Sequence, residues 1–206
     1  MYDTLRYAPE HYAQRVADFK REPLERGRVT FLGDSQVEFG DWPRLLDTPT
    51  LINRGVAGDN TYGILERLDD VIARAPVKLF VVVGINDISQ DIPESVILKN
   101  ILTIVQRVRT GSPGTTVYIH SIFPTNDHVK AEYPDAFGKN SIVQSLNRQV
   151  QSAAQTHHFT YLDLSAVLSD RQGQLDEQYA EPDGLHLNAR GYQAWAQFLK
   201  GEKLFR

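Results

Sequence analysis

The sequence contains no cysteine among its 206 residues. Disulfide bonds, thiolate nucleophiles and cysteine-ligated zinc are therefore excluded by composition alone. Any nucleophile that the chain uses must be an oxygen or a nitrogen atom.

Long apolar runs are also missing. No stretch approaches the roughly 20 apolar residues that a helix needs to cross a bilayer. Residues 1–20 lack the apolar centre of a signal peptide. We therefore expect a cytoplasmic protein without membrane insertion.

Basic residues are not in excess, since 22 Lys and Arg stand against 26 Asp and Glu and the net charge is −4. No local cluster of Lys and Arg compensates, so nucleic acid is not an expected partner. With 41% hydrophobic and 23% charged residues, the chain is predicted to form one globular domain over residues 1–206 with a substantial core. The sequence does not indicate an oligomeric state.

Five short apolar runs predict five β-strands, at 29–32, 51–53, 77–83, 116–121 and 160–164. Apolar residues at helical spacing predict helices between and after them, at 61–75, 93–110, 141–157 and 189–200. Alternating strands and helices indicate an α/β fold. We predict a three-layer α/β/α sandwich around a five-stranded parallel sheet with the flavodoxin-like strand order.

Four polar, glycine-containing segments follow predicted strands. They are GDS at 33–35, GVAGDN at 55–60, GIND at 84–87 and, further on after the fifth strand, DGLH at 183–186. Because the carboxyl ends of parallel strands meet at one edge of a sheet, all four should lie close together. Each alone could be a helix cap or an Asx turn. Together they supply the hydroxyl, base, carboxylate and oxyanion donors that acyl transfer by a serine needs.

In this order, the four segments resemble the four sequence blocks of the SGNH hydrolases, in the GDSL esterase/lipase superfamily. The resemblance covers approximately residues 31–198, and it is greatest to the short branch of platelet-activating-factor acetylhydrolase-like enzymes and carbohydrate acetylesterases. The nucleophilic serine of that family is matched by Ser35, the glycine of its second block by Gly58 and the asparagine of its third by Asn86. Its last block is matched by Asp183 and His186.

The resemblance implies a metal-independent serine esterase that needs no cofactor. His186 is expected to take the proton of Ser35, and Asp183 to orient His186. The N–H groups of Ser35 and Gly58, with the side chain of Asn86, are expected to form the oxyanion hole. The expected substrate is a small-molecule ester with a short acyl group, such as an acetyl ester of a sugar, because no amphipathic interfacial helix is evident. Lysophospholipase or thioesterase activity at the same site stays open.

Two functions of other classes compete with this one. A metal-dependent phosphoesterase is conceivable because Asp34, Asp87, Asp183, Asn86 and His186 should also converge. A flavodoxin-like binding module could hold a phosphate on its first loop. The single histidine of the first set and the acidic character of the first loop disfavour both.

Several residues near these segments are predicted to support them. Asp34 and Asp87 should bind loop N–H groups, and Asn53 should tie loops together. Gly33 should let the chain turn tightly after the first strand. Gln36 stands where the family name expects leucine, and we expect it to alter the pocket.

The long connection at 122–140 is predicted to be a wall of the site or else a surface loop. His120 and Ser121, which precede it, either face the pocket or are buried and hydrogen-bonded. His11 shows no pattern that would indicate a partner. The aromatic residues of the helix at 189–200 recur at helical spacing and are predicted to face the core.

Overall fold

A five-stranded parallel β-sheet lies at the centre of the computed structural model, which describes residues 9–129 and 132–205. The strands are β1 (Val29–Gly33), β2 (Ile52–Gly55), β3 (Lys78–Val82), β4 (Thr116–His120) and β5 (Thr160–Leu162). Their order is β2-β1-β3-β4-β5, and every neighbouring pair is parallel. The predicted α/β class and flavodoxin-like order are confirmed.

Helices connect the strands and cover both faces of the sheet. They are α1 (Pro9–Arg21), α2 (Ser35–Glu38), α3 (Trp42–Leu45), α4 (Thr61–Arg74), α5 (Ile85–Ser89), α6 (Glu94–Gly111), α7 (Asn140–His157), α8 (Ser165–Leu168) and α9 (Ala189–Gly201), with a 3₁₀ turn at Pro134–Ala136. Helices α4, α6 and α7 pack on one face, and α3, α8 and α9 pack on the other. Among the helices described, none has the length and apolar character to cross a membrane.

Successive strand residues point to opposite faces of the sheet. In β1, Phe31 joins the core beneath α3, α8 and α9, whereas Leu32 joins the core beneath α4, α6 and α7. Phe80 and Val81 divide in the same way in β3. Because both faces are covered, the central strand β3 is apolar from Leu79 to Val82 and shows no polar alternation.

The core on the α9 side is aromatic. The ring of Phe31 stacks on that of Trp42 with centroids 4.2 Å apart, and Trp42 meets Trp195 edge-on at 4.5 Å. Trp195, in α9, is fully buried, as is Leu199 one turn later. The predicted core face of this helix is therefore confirmed.

His120 and Ser121 lie inside this layer rather than facing a pocket. His120 is 2% exposed, and its Nε2 accepts a hydrogen bond from Nε1 of Trp195 at 3.0 Å. Burial lowers the pKa of His120 to about 3, so the ring is neutral. Ser121 Oγ accepts from the backbone N–H of Ser165 at 2.7 Å. Both residues are thus buried and hydrogen-bonded, each to a different helix.

Helix α1 is not predicted by the sequence. Tyr12, Val16 and Phe19 recur at helical spacing, but Phe19 is the only buried residue of the helix, so its apolar stripe is short. Polar contacts hold it instead. The Tyr12 hydroxyl donates to the carbonyl of Gly63 at 2.8 Å, and the Arg54 guanidinium lies 4.4 Å from the Phe19 ring centroid.

Most predicted element boundaries differ from the structure by one or two residues, and two of these differences have a clear local cause. Helix α4 ends at Arg74, because Ala75 adopts the left-handed conformation with φ 43° and cannot continue the helix. Strand β5 ends at Leu162 rather than at 164, because the N–H of Leu164 turns back to the carbonyl of Leu162.

Candidate active site

Ser35 is the first residue of α2 and is separated from the end of β1 by Asp34 alone. The turn requires Gly33, since a Cβ there would lie 2.2 Å from the carbonyl oxygen of Val82. Asp34 then caps α2, and its side chain accepts from the N–H of Gln36 at 3.0 Å. This turn holds Ser35 at the carboxyl edge of the sheet, with 7% of its surface exposed.

His186 and Asp183 lie next to this hydroxyl. His186 Nε2 is 3.0 Å from Ser35 Oγ, although 151 positions separate the two residues. On the other side of the ring, Nδ1 is 2.6 Å from Asp183 Oδ2. Asp183 Oδ1 accepts the backbone N–H groups of Leu185 and His186, each at 2.9 Å. The structure therefore brings together the three residues that were predicted to be catalytic.

The environment of Asp183 favours its ionised form. Partial burial would raise the pKa of this carboxyl, but hydrogen bonds from the His186 ring and from the N–H groups of His186 and Leu185 outweigh that effect. The net result is a pKa below the usual value of aspartate. Asp183 is thus a carboxylate that can accept from Nδ1–H of His186.

Gly58 and Asn86 line the same cavity as Ser35. Gly58 has φ 79°, a backbone conformation that favours glycine over other residues. Asn86 lies in the first turn of α5, and its Nδ2 donates to the carbonyl of Asp59 at 2.8 Å. This bond uses one of the two N–H donors of the amide and fixes its orientation. The second donor is left for another acceptor.

Three buried carboxyls hold the loops beneath the site. Asp34 caps α2, Asp87 accepts the backbone N–H and the hydroxyl of Thr61, and Asp59 pairs with Arg67 at 2.8 Å. Burial raises the pKa of Asp34 and of Asp87 to about 7, and that of Asp59 to about 6. Asp34 and Asp87 bind loop N–H groups, as predicted.

Arg67 is a supporting residue for which the sequence offers no motif. Its side chain is nearly buried and bonds Asp59 Oδ2, the carbonyl of Arg54 at 2.8 Å and the carbonyl of Gly33 at 3.0 Å. One guanidinium of α4 therefore joins the carboxyl ends of β1 and β2 to the loop that carries Gly58.

Asn53 ties the segment after α2 to the end of β2, as predicted. Its Nδ2 donates to the carbonyl of Val37 at 2.9 Å, and its Oδ1 accepts the N–H of Gly55 at 2.8 Å. His11, which showed no partner pattern, proves to bond Glu38 at 2.9 Å. Glu38 also accepts the N–H of Ala57, so this contact supports the loop before Gly58.

Gln36 acts differently from expectation. It does not line the cavity that holds Ser35, because its side chain is buried and points toward the backbone of Leu185. Its Nε2 donates to the carbonyl of Leu185 at 2.8 Å. The residue after the serine is thereby tethered to the residue before the histidine.

The cavity in front of Ser35 has a volume of about 380 Å³. Part of its wall is formed by residues 132–136, so the predicted wall role of the long connection is confirmed. The rings of Phe39 and Tyr133 also line this cavity, and their centroids lie 5.4 Å and 5.6 Å from that of the His186 ring. Neither aromatic residue was predicted, because neither belongs to a motif.

Groups of three or more side chains of the kinds that bind metals are not found within residues 9–129 and 132–205. Asp34 and Asp87, which a metal site would require, are committed to loop N–H groups and a hydroxyl. The geometry therefore does not support the phosphoesterase alternative.

The fold and the site together define a serine ester hydrolase. At the carboxyl edge of a buried parallel sheet, a serine lies within hydrogen-bond distance of a histidine, and the histidine lies within hydrogen-bond distance of an aspartate. The chain belongs to the GDSL-like lipase/acylhydrolase family, whose sequence profile matches residues 31–194. The predicted SGNH hydrolase membership is thus confirmed.

Individual relatives agree with this assignment. The chain is 31% identical over 184 residues to platelet-activating factor acetylhydrolase IB subunit alpha1 of Rattus norvegicus, covering 86% of this chain and 74% of the relative. A solved structure from Streptococcus pneumonia, provisionally described as a platelet activating factor, is 30% identical with a TM-score of 0.86 and coverage of 96% and 94%. A GDSL-like lipase from Bacteroides thetaiotaomicron VPI-5482 has the same fold at 21% identity, with a TM-score of 0.80 and coverage of 94% and 98%.

Proposed function

We propose that the protein hydrolyses short-chain carboxylic esters, such as acetyl esters of a sugar or of another small alcohol, with Ser35 as the nucleophile. The observation that carries this proposal is the 3.0 Å contact between Ser35 Oγ and His186 Nε2, backed by Asp183 and open to the cavity. A hydroxyl with an oriented base is the arrangement that nucleophilic acyl transfer requires.

The reaction begins with proton transfer from Ser35 to His186. The Nδ1–H of His186 donates to Asp183, so Nε2 carries the lone pair that accepts the proton as Ser35 Oγ attacks the ester carbonyl. The tetrahedral intermediate then expels the alcohol, which receives this proton from Nε2. Water attacks the acyl-serine in the same way, and the carboxylic acid product and free Ser35 result.

The oxyanion of both intermediates is assigned to three donors. Within the described part of the chain, no residue accepts a hydrogen bond from the backbone N–H of Ser35 or of Gly58. The second N–H of the Asn86 amide is the third donor, and the bond to Asp59 holds it in place. Donors that are fixed before the reaction stabilise the developing charge without reorganisation.

The preference for short acyl groups is supported by the size of the cavity and by the relatives. About 380 Å³ is near the lower end of the range for ligand pockets, roughly 300–1,000 Å³. The cavity must also accommodate part of the alcohol. The relatives at about 31% identity are named acetylhydrolases, which supports an acetyl group as the acyl portion here.

Labelling with a fluorophosphonate, followed by peptide mapping, tests the nucleophile. We expect the label on Ser35 and its loss in Ser35→Ala. Ser89→Ala is the matched control, because Ser89 lines the same cavity but its hydroxyl donates to the carbonyl of Ile85. Labelling of Ser35→Ala at the wild-type rate would contradict the assignment.

A series of acetyl, butyryl and octanoyl esters of one alcohol tests the acyl preference. We expect kcat/KM to be highest for the acetyl ester and to fall with chain length. A maximum at the octanoyl ester would assign the site to longer acyl chains.

A further inference from the structure

Two exposed aromatic side chains flank the imidazole of His186. Phe39 is 55% exposed and Tyr133 is 43% exposed, and both rings contact the His186 ring. The other exposed large hydrophobic residues of the described chain are aliphatic and do not line this site. Exposed aromatic surface concentrated at one opening is typical of a ligand-binding surface.

These two residues belong to two adjoining spaces. They line the cavity of Ser35, and they also line a more open groove on the Asp183 side of His186. Nε2 of His186 delivers the proton to the departing alcohol and faces Ser35, so the alcohol portion of the ester should leave the cavity past Phe39 and Tyr133, the two rings that border both spaces. This step rests on the proposed function.

Among the described residues that line the opening, the charged side chains are Glu132, Asp135, Glu181 and Asp183, which are all acidic. Glu132 lines the cavity and Glu181 lines the groove, and neither forms an ion pair with any residue in the described ranges. Of the residues described, no Lys or Arg lines either space. Anionic alcohols, such as phosphorylated ones, would therefore be repelled.

We propose that the opening bordered by Phe39 and Tyr133 selects esters whose alcohol portion carries an alkylammonium group. The faces of Phe39 and Tyr133 attract a cation through the negative potential of the aromatic ring, and Glu132 and Glu181 add carboxylate charge beside them. Acidic side chains or aromatic rings alone would be less selective. Their combination at the leaving-group side matches a positively charged organic group.

A matched pair of substrates tests this proposal. Acetylcholine and 3,3-dimethylbutyl acetate have the same shape, but a neutral carbon replaces the charged nitrogen in the second. We expect the wild-type protein to hydrolyse acetylcholine with a kcat/KM roughly tenfold higher, in the range that cation–π contacts support. The preference should shrink as ionic strength rises, because salt screens exposed carboxylates.

Variants at the opening should abolish the discrimination. We expect the ratio of the two kcat/KM values to fall toward one in Phe39→Leu combined with Tyr133→Leu, and to fall partly in Glu132→Gln combined with Glu181→Gln. Glu202→Gln is the control, because Glu202 is an exposed carboxylate just beyond the far end of α9 from the groove. Its ratio should equal that of the wild type.

The outcomes separate this proposal from the proposed function. If both esters are cleaved at equal rates and Ser35 reacts with the fluorophosphonate, the esterase assignment stands and the ammonium preference is wrong. Faster cleavage of the neutral ester also overturns the preference and indicates an uncharged alcohol such as a sugar. If neither ester is cleaved and Ser35 does not react, the proposed function itself fails.

Discussion

Asn86 carries the proposed oxyanion donor that can be removed with the least disturbance to the fold. Its side chain is partly exposed in the cavity and makes one hydrogen bond, to the carbonyl of Asp59. We expect Asn86→Ala to lower kcat by about 100- to 1,000-fold, the usual cost of one oxyanion donor. Steady-state kinetics with an acetyl ester measure this loss, and a thermal melt shows whether the fold is retained. A rise in KM with an unchanged kcat would assign Asn86 to substrate binding.

In the proposed mechanism, Asp183 determines which nitrogen of His186 carries the proton. In Asp183→Asn, the amide oxygen should stay where Oδ1 accepts two backbone N–H groups, so the NH₂ group would face Nδ1. Nδ1 must then accept, the proton moves to Nε2, and Nε2 can no longer take the proton of Ser35. We expect kcat to fall by on the order of 10⁴-fold, as for the same change in other serine triads.

The rate of fluorophosphonate labelling provides a second measurement for this variant. It should fall in parallel with kcat, because labelling needs the same proton transfer. Wild-type labelling of Asp183→Asn would mean that another group orients His186.

The residues of the site could be predicted because Ser35, Gly58 and Asn86 belong to short polar segments that follow strands, while Asp183 and His186 belong to a short Asp-x-x-His segment further along the chain. Gly33, Gly58 and Gly84 mark those segments, and parallel strands bring their carboxyl ends together. Phe39 and Tyr133 could not be predicted in the same way. An exposed aromatic residue in a loop carries no periodicity, and its proximity to His186 depends on the folding of two distant segments.

At the scale of the element, α4 is joined to the sheet by the buried pair of Arg67 and Asp59. Arg67→Leu would leave the Asp59 carboxylate and the carbonyls of Gly33 and Arg54 without their donor. We expect the free energy of unfolding to fall by about 3–5 kcal/mol, the usual cost of removing one partner of a buried ion pair. Urea denaturation measures the change.

Two further variants test whether the pair itself is responsible. Arg67→Leu combined with Asp59→Asn should recover part of the loss, because the uncompensated buried charge is gone. Arg21→Leu breaks an exposed pair with Asp18 on α1 and should cost less than about 1 kcal/mol. Equal losses for Arg67→Leu and Arg21→Leu would show that the buried pair does not hold α4.

Elements with an apolar stripe or an apolar run were predictable, and elements held by polar contacts were not. Helices α4, α6, α7 and α9 each bury several residues on one face, and their periodicity predicts them. Helix α1 buries only Phe19 and depends on hydrogen bonds to α4. Such contacts join residues about 50 positions apart, so no local pattern reveals them.

At the scale of the whole molecule, the loops of the site rest on three buried carboxyls, Asp34, Asp59 and Asp87. Burial raises the pKa of Asp34 and Asp87 to about 7 and that of Asp59 to about 6. The pKa of an aspartate in the unfolded chain is about 3.9. Between these values the folded protein binds protons that the unfolded chain has released. The contribution of these groups to stability is therefore complete below about pH 4 and is lost as the pH rises to about 7.

Asp34→Asn isolates one of these groups. The asparagine oxygen can still accept the N–H of Gln36, so the cap of α2 is kept while the titration is removed. We expect the free energy of unfolding of the variant to fall less steeply than that of the wild type between about pH 4 and pH 7, by up to about 1.4 kcal/mol per pH unit. Urea denaturation across this range measures both slopes. Asp69→Asn, at a side chain that is 85% exposed, should keep the wild-type slope. If Asp34→Asn also keeps it, Asp34 is ionised in the folded protein and another group supports the turn that carries Ser35.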